Sequence, residues 1–315
     1  MLEIQNLNAS YIVASKKPFQ KDIIRAVENI DMTIGDGKVL GLVGESGCGK
    51  SSLGKTLVRL HKEDSGSVLF NGIDILKLNK KEMLQLRKEI QIIFQDPYSS
   101  LNPRMTVYEI ITEGLSLHGK YSKEEKEKLA REILQKVALK EDILYRYPHE
   151  FSGGQRQRIA IARVLILKPE FVVCDEIVSA LDVSTQAQIV NLLQDYRKEH
   201  KLSLLFISHD LSIVSYIADE IAVMYLGKVM EWGKKETLLE NPLHPYTKAL
   251  FASNFEISGR KKKREILKGE IPGVIHKPSG CYFHTRCPMV ENRCKTEEPI
   301  RKKIGDSQYV ACHLV

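Results

Sequence analysis

The sequence lacks the segments that would place it in a membrane or direct it across one. No run approaches the roughly 20 consecutive apolar residues that a transmembrane helix needs. The N-terminal residues also lack the basic stretch followed by an apolar stretch that is typical of a signal peptide. We therefore expect a cytosolic chain. Internal repeats and low-complexity tracts are missing too, and the length suits one large domain or two unequal ones.

A strong excess of charge is also missing. The 315 residues include 47 Lys and Arg and 40 Asp and Glu, which gives a net charge of +7. This mild excess is weak evidence for a nucleic-acid partner, and we expect none. The densest basic cluster is interpreted as a solvated linker, with contact to anionic lipid or nucleic acid as the alternative. It comprises Arg260, Lys261, Lys262, Lys263 and Arg264.

Cysteine is sparse and unevenly placed. Four of the six cysteines lie in the last 35 residues, and in a cytosolic protein they favour metal binding over disulfides. Four thiolates can bind a 4Fe–4S cluster or Zn²⁺. Their gaps are wider than those of most zinc sites, and the Cys-Pro step at 287–288 is similar to that of cluster ligands. We predict the cluster, with zinc and free thiols as alternatives, at Cys281, Cys287, Cys294 and Cys312.

Residues 44–51 match the pattern G-x-x-x-x-G-K-S of a phosphate-binding loop. An apolar run precedes them, and a helix is predicted at 52–60. In such a loop the backbone N–H groups converge, and the helix N-terminus adds partial positive charge. Lys50 is expected to reach the β- and γ-phosphates and Ser51 to hold Mg²⁺, while Cys48 is interpreted as a small filler rather than a reactive thiol. The predicted nucleotide-binding residues here are Gly44, Glu45, Ser46, Gly47, Cys48, Gly49, Lys50, Ser51 and Ser52.

Strand and helix signals alternate along the chain, which predicts an α/β fold. Short apolar runs at 39–43, 171–174 and 204–207 are typical of buried strands, so we expect a mainly parallel sheet with helices on both faces. Residues 97–168 form a predicted helical insertion, in which Ser122 begins a capping box. One apolar stripe follows it at helical spacing: Ala130, Ile133, Leu134 and Val137.

The two ends of the chain differ from this predicted core. Residues 1 to about 43 are predicted to form β structure, with hairpin turns at 36–37 and further on at 71–72. The composition changes at about residue 236, where a Pro-containing tail approaches. We therefore predict a nucleotide-binding domain at 1–240 and a small Cys-rich extension at 241–315.

Two carboxylates, Asp175 and Glu176, follow directly after an apolar strand. Ligands of an open α/β sheet bind outside the carboxyl ends of its strands, so we expect these acids beside the phosphate loop. One can assist Mg²⁺ through its water shell, and the other can polarise the attacking water. An exposed acidic pair is the alternative, and the phosphate loop earlier in the chain disfavours it.

A second potential anion site lies at 152–155. A serine and two glycines at a predicted helix start offer free N–H groups and a hydroxyl. One chain needs only one cradle for the γ-phosphate, so the second cradle requires an explanation. A plain helix cap is the alternative. The residues are Ser152, Gly153, Gly154 and Gln155.

Taken in order, these motifs resemble those of ABC transporter ATP-binding subunits. The matching elements are the Walker A loop at 44–51, the Q-loop glutamine Gln95, the family sequence at 152–155, Walker B at Asp175, the catalytic glutamate Glu176, the D-loop at 179–182 with Asp182, and the switch histidine His209. The resemblance implies an ABC ATPase with a P-loop (RecA-like) core. It also implies an antiparallel β subdomain, an inserted α-helical subdomain and the Cys-rich extension.

The resemblance also implies roles for these residues. Two subunits would face each other, so that Ser152–Gln155 and Asp182 act on the ATP of the partner. Glu176 would activate water, and His209 would contact the γ-phosphate. Mg²⁺ is assigned to Ser51, to Gln95 and, through water, to Asp175. Adenine stacking is assigned to Tyr11, which is expected in the polar stretch between the first strand and the next, with Phe19 as the alternative. Ile177 stands where the family usually has proline, so the backbone after Glu176 is expected to be less rigid.

Further strings at 94–103, 147–150 and 241–247 resemble the peptide and nickel importer subfamily, and its F-type ATPase in particular. Related ATPases carry a similar Cys-rich tail that resembles a 4Fe–4S site. The resemblance implies an ATP hydrolase that powers import of di- or oligopeptides at the cytoplasmic face of the membrane. Its expected partners are a second ATPase, two permease subunits and an extracytoplasmic solute-binding protein. A nickel importer and a soluble non-transport ABC ATPase are the alternatives.

Overall fold

The computed structural model describes residues 1–14, 21–254, 269–305 and 307–315. They form two compact units. The first unit comprises Met1–Ile34, Val39–Leu76 and Phe206–Val315, and the second comprises Gly35–Lys38 and Lys77–Leu205. None of the described helices is long and apolar enough to cross a bilayer. The predicted basic linker at 260–264 and Phe19 lie outside the described residues.

The strands are β1 (Leu2–Ala14), β2 (Lys21–Ile34), β3 (Val39–Val43), β4 (Ser65–Phe70), β5 (Ile73–Asp74), β6 (Ile90–Ile93), β7 (Phe171–Asp175), β8 (Ser203–Ile207), β9 (Glu220–Tyr225), β10 (Lys228–Lys234), β11 (Lys302–Ile304) and β12 (Gln308–Val310). The α-helices are α1 (Lys50–Leu57), α2 (Lys80–Leu86), α3 (Pro97–Ser100), α4 (Val107–His118), α5 (Lys123–Lys136), α6 (Gly153–Leu165), α7 (Val183–His200), α8 (Leu211–Ile217), α9 (Lys235–Glu240), α10 (Pro245–Asn254) and α11 (Asn292–Thr296). Short 3-10 turns occupy Ile75–Lys77, Glu141–Ile143 and Pro148–Glu150.

The first unit contains an antiparallel sheet in the order β2-β1-β4-β5. Asn71 and Gly72 both have positive φ between β4 and β5, which pair antiparallel, so the hairpin predicted at this turn is confirmed. A second group of strands in this unit follows the order β11-β12-β10-β9-β3. β3 and β9 are parallel, whereas β9, β10, β12 and β11 pair antiparallel.

The hairpin predicted at Asp36-Gly37 is wrong. β2 pairs with β1, and β3 pairs with β9, so the turn links strands of two different sheets. Tertiary contacts hold the turn in the second unit: Gly37 N donates to Ser203 Oγ (2.9 Å), and Arg197 Nε donates to Gly37 O (2.7 Å). A two-residue turn signal cannot specify the partner of the next strand when such distant side chains fix its direction.

The second unit combines parallel strands with most of the helices. β7 lies between β6 and β8, and β6 and β7 are parallel as predicted. The capping box predicted at Ser122 is present: its Oγ accepts from Glu125 N (3.1 Å) at the start of α5. The stripe Ala130, Ile133, Leu134 and Val137 is buried, which confirms the predicted helical face.

The C-terminal part of the chain packs into the first unit through a buried carboxylate. Glu231 of β10 is completely buried. Its oxygens accept from Leu243 N (2.8 Å), His244 N (3.0 Å) and Gln308 Nε2 (2.7 Å). Because an unpaired buried carboxylate is costly, these donors fix both the start of α10 and the β12 strand against β10.

His244 gives this junction a pH dependence. The ring is buried, Nδ1 accepts from Tyr246 N (3.0 Å), and burial lowers the pKa of His244 to about 3. An unfolded histidine titrates near 6.5, so between these values the unfolded chain binds the extra proton and stability falls with falling pH.

We expect His244 to lower the free energy of unfolding by about 2 kcal/mol between pH 7 and pH 5. Urea unfolding at both pH values measures it. His244→Asn keeps an acceptor for Tyr246 N but removes the titrating ring, so the loss between pH 7 and pH 5 should be smaller in this variant by that amount. The control His149→Asn, at an exposed position, should retain the wild-type loss. Equal losses in wild type and His244→Asn would contradict the assignment.

Candidate functional site

The phosphate loop joins the buried strand β3 to α1. Gly44 and Gly49 have φ of 152° and 109°, and neither position has room for a side chain. A Cβ would lie 2.2 Å from Met224 O at Gly44, and 2.1 Å from Ala26 O at Gly49. The helix begins at Lys50 and ends at Leu57, so the predicted range of 52–60 began and ended too late in the sequence.

Lys50 lies folded back across this loop. Its side chain is buried, and Nζ donates to Gly44 O (2.8 Å) and Glu45 O (3.1 Å). The ammonium is therefore held at the loop, where it can bind an anion. Cys48 is buried beside it, with Sγ 3.9 Å from Nζ. Burial raises the pKa of the Cys48 thiol although Lys50 opposes the shift, so the structure favours the filler interpretation over a reactive thiol.

His209 follows β8 and is exposed in the first unit. Ser208 N, one residue earlier, donates to Leu42 O of β3 (3.3 Å). Leu42 is two residues before Gly44, so the chain reaches His209 and the phosphate loop at the same edge of the sheet. This placement agrees with the expectation that ligands bind at the carboxyl ends of strands.

Tyr11 lies within β1 rather than in the polar stretch after it, because β1 continues to Ala14. Its ring stacks on the ring of His61, with centroids 4.0 Å apart and planes at 19°. His61 Nε2 is 3.1 Å from Ser10 O, which fixes the imidazole. The sequence did not indicate this pairing, since fifty residues separate the two rings.

The second unit brings two of the predicted catalytic side chains together. Gln95 Nε2 donates to Glu176 Oε2 at 3.1 Å. Asp175 is buried at the end of β7, and Glu176 has a φ of 47°, an uncommon value for a residue with a side chain. Ser179 N (3.2 Å) and Ser179 Oγ (2.9 Å) both donate to Glu176 O, and Ile177 is buried. These contacts constrain the backbone where the family usually has proline.

Ser152 is the N-cap of α6, so the helix begins where the sequence predicts a helix start. Its Oγ accepts from Gln155 N (3.4 Å), and its own N–H donates to Gln155 Oε1 (3.0 Å). A Cβ at Gly153 would meet nothing within 4 Å, whereas at Gly154 it would lie 2.8 Å from Thr185 Cγ2. The helix ends at Leu165.

Asp182 is the N-cap of α7. Its carboxylate accepts from Ser184 Oγ (2.6 Å), Thr185 N (2.9 Å) and Thr185 Oγ1 (2.7 Å). These hydrogen bonds hold the pKa of Asp182 well below its usual range. The residue therefore orders the D-loop as an anion, and its carboxylate is exposed at the surface of the second unit.

The four C-terminal cysteines lie near one another in the first unit. Cys281 N donates to Cys294 O (2.9 Å). Burial raises the pKa of Cys281 to about 11, and Cys312, Cys294 and Cys287 add to the shift. Among the described residues, no group of three or more His, Cys, Asp or Glu side chains is placed to hold a single metal ion. A preformed zinc site, which needs four ligands around one ion, is therefore not present there.

Sequence reasoning missed the partners of Glu45. Its carboxylate pairs with Arg286 through two hydrogen bonds of 2.6 and 2.9 Å, and its N–H donates to Tyr246 Oη (3.0 Å). Tyr246 lies in the segment 241–247, which resembles the peptide and nickel importer subfamily. Arg286 directly precedes Cys287, but no periodicity or spacing links it to the loop.

Gly49→Ala should destabilise the protein by at least about 3 kcal/mol, because it combines an unfavourable φ with a clash against Ala26 O. Gly47→Ala is the matched control: φ is 77°, but a Cβ meets nothing within 4 Å, so the cost should be about 1 kcal/mol. Urea unfolding measures both. Similar losses would show that the close approach at Gly49 has no energetic consequence.

Comparison with known proteins agrees with the order of the motifs. A family model described as ABC transporter matches residues 27–179, and one described as Oligopeptide/dipeptide transporter, C-terminal region, matches residues 230–294. The chain is 47% identical over 320 residues to the Oligopeptide transport ATP-binding protein AppF of Bacillus subtilis (strain 168). The alignment covers 100% of this chain and 97% of that protein.

Two solved structures of one cassette are also similar. The dimeric structure of MJ0796, a bacterial ABC transporter cassette, has 29% identity and a TM-score of 0.66, covering 75% of this chain and 99% of that one. A dimeric post-hydrolysis state of MJ0796 bound to ADP and Pi has 28% identity, the same TM-score and the same coverage. The fold is thus that of an ABC ATPase cassette, α/β with mixed sheets. The chain belongs to the ABC transporter ATP-binding subunits, within the oligopeptide/dipeptide transporter family.

Proposed function

We propose that this chain hydrolyses ATP to power the import of di- or oligopeptides across the cytoplasmic membrane. The observation that carries the proposal is the hydrogen bond between Gln95 and Glu176 (3.1 Å). It joins the carboxylate assigned to water activation to a residue that immediately precedes the helical segment α3–α4. A movement of this segment can therefore change the position of the catalytic carboxylate.

The nucleotide roles follow from the motifs. Lys50 binds the β- and γ-phosphates, together with the N–H groups of the loop, and Tyr11 stacks on adenine. Ser51, Gln95 and Asp175, the last through water, are proposed to hold Mg²⁺, because all three offer the oxygen donors that this ion prefers. Mg²⁺ supplies positive charge against the phosphate oxygens. His209 contacts the γ-phosphate.

The second anion cradle, at Ser152–Gln155, is explained if it binds the ATP of a second ATPase subunit. The MJ0796 cassette is dimeric in its solved structures, and we infer a comparable pair here, with a different ATPase subunit as partner. The N-terminus of α6 and Asp182 then act on the partner's ATP. An isolated chain should bind ATP but hydrolyse it slowly, and turnover should rise when the partner is added.

The remaining partners are inferred from the oligopeptide transport relatives. Two permease subunits span the membrane, and an extracytoplasmic solute-binding protein delivers the peptide. The chain lies at the cytoplasmic face and binds no nucleic acid. We retain the division into a nucleotide-binding domain at 1–240, with its helical subdomain at 97–168, and an extension at 241–315.

Glu176→Gln should lower ATP hydrolysis by about 10²–10⁴-fold while ATP binding persists, because the variant loses the group that activates water. The measurement is ATPase activity and uptake of a labelled peptide by the transporter in vesicles, with bound ATP counted separately. Glu132→Gln, at an exposed position of α5, is the control and should behave as wild type. If Glu176→Gln retains both activities, the assignment fails. If peptides are not transported but Ni²⁺ is, the substrate assignment fails.

The Cys-rich extension is proposed to bind a 4Fe–4S cluster through Cys281, Cys287, Cys294 and Cys312. The donor set consists of four cysteines; burial raises the pKa of Cys281, Cys287 and Cys312, and neighbouring cysteines add to each shift, so positively charged iron would favour the thiolate forms. A cluster distributes its ligands over four irons, and it therefore tolerates wider sulfur spacing than one zinc ion does. When bound, it supplies a cross-link within the extension.

The full chain purified without oxygen should be brown, absorb at the blue end of the spectrum and contain about four irons. Cys281→Ser should lower the iron content severely, because a ligand is lost. Cys174→Ala alters a cysteine of β7 and should retain the iron. A colourless protein with one zinc per chain would contradict the cluster and favour the alternative.

A further inference from the structure

An ion pair joins the extension to the phosphate loop. Arg286 Nη1 and Nη2 donate to Glu45 Oε2 and Oε1 at 2.6 and 2.9 Å. The arginine side chain is 4% exposed and the glutamate side chain 19% exposed. Such a bidentate pair, largely withdrawn from solvent, fixes the orientation of both groups more strongly than a surface ion pair does.

The backbone of Arg286 is held by a buried aromatic cluster. Its N–H donates to Phe283 O (3.0 Å), and Phe283 is fully buried. The Phe283 ring packs edge-on against Tyr225, with centroids 5.5 Å apart, and tilted against Tyr246, with centroids 5.3 Å apart. Tyr246 in turn accepts the N–H of Glu45. Two separate contacts from the C-terminal segment therefore hold one residue of the loop.

Glu45 links these contacts of the C-terminal segment to the lysine of the phosphate loop. Its carbonyl accepts from Lys50 Nζ (3.1 Å), so the position of its backbone affects the position of the ammonium. Its carboxylate is also a negative charge within a loop that binds a triphosphate. The guanidinium of Arg286 neutralises that charge, and without it the carboxylate would repel the phosphates.

We propose that Arg286 is a positioning residue for nucleotide binding, which acts through Glu45 to keep the phosphate loop in shape and free of an uncompensated negative charge. The Cys-rich extension thereby contributes to the ATP affinity of this chain. The inference rests on the proposed assignment of ATP to this loop. It concerns binding, so at saturating ATP the catalytic rate of the assembled transporter should change little.

Titration calorimetry of the full chain with MgATP tests the proposal. Arg286→Met should raise the dissociation constant about tenfold. In the Glu45→Gln background the same substitution should change it by less than about threefold, because the carboxylate that Arg286 neutralises is gone. Arg293→Met removes an exposed ion pair with Glu291 in the same extension (2.8 Å) and should bind as wild type.

Lys50→Ala distinguishes a failure of the proposed function from a failure of the role proposed for Arg286. If wild type does not bind MgATP, or binds it equally well without Lys50, the proposed function fails. If binding requires Lys50 but Arg286→Met binds as wild type, the role of Arg286 is overturned. An equal loss for Arg286→Met in both backgrounds would also overturn it, because the arginine would then act independently of Glu45.

Two measurements distinguish a positioning role of Arg286 from a purely structural one: the stability of each variant and the recovery of MgATP binding in the double variant. Urea unfolding of each variant shows whether the changes in MgATP affinity follow the changes in the free energy of unfolding. If Glu45→Gln/Arg286→Met recovers MgATP binding without recovering stability, the result supports the proposal. Should Arg286→Met not fold, Arg286→Lys takes its place. It keeps the charge but loses the bidentate geometry, and it should weaken binding less than tenfold in the wild-type background only.

Discussion

Carboxylates of the nucleotide-binding core obtain their partners from the C-terminal part of the chain, and the first unit depends on this constraint. Glu231 accepts from Leu243, His244 and Gln308. Glu28 of β2 accepts from Lys277 and from Tyr282 Oη (2.8 Å). Glu45 pairs with Arg286. Because buried or half-buried acids are costly when unpaired, these three carboxylates bind the extension to the core.

Because of these contacts, the described part of the extension is packed against the core rather than trailing from it as a free tail. Its strand β12 pairs with β10, and Lys277 also donates to Leu226 O (2.7 Å), which lies beside Gly227 in the β9–β10 turn. Burial lowers the pKa of Lys277, while Glu28 opposes the shift. The ammonium of Lys277 and the guanidinium of Arg286 neutralise the carboxylates that they contact. The third carboxylate, that of Glu231, is instead satisfied by hydrogen bonds.

Local chemistry made much of the fold predictable. The phosphate loop, the capping box at Ser122, the helix start at Ser152 and the buried stripe of α5 all depend on residues within a few positions of one another. The buried strands β3, β7 and β8 were recognisable because burial on both faces demands continuous apolar runs. The family motifs then assigned functional roles that no single residue could have indicated.

The errors have a common physical origin in long-range contacts. The turn at Asp36-Gly37 was misassigned because Ser203 and Arg197 determine where it leads. Tyr11 was placed outside β1, although pairing with β2 extends that strand to Ala14. Arg286 is 241 positions from Glu45, and an ion pair over such a distance leaves no periodic signal in the sequence.

The same separation has a consequence for the order of events during synthesis. Glu45 leaves the ribosome 241 residues before Arg286, which at about 5–20 residues per second corresponds to roughly 10–50 seconds. Throughout that interval the carboxylate of Glu45 lacks its arginine partner, and Glu28 waits almost as long for Lys277 and Tyr282. The nascent first unit must therefore keep these acids hydrated. A complete phosphate loop becomes available only after translation has passed the cysteine-rich segment, so premature termination yields a chain with its motifs present and its loop unsupported.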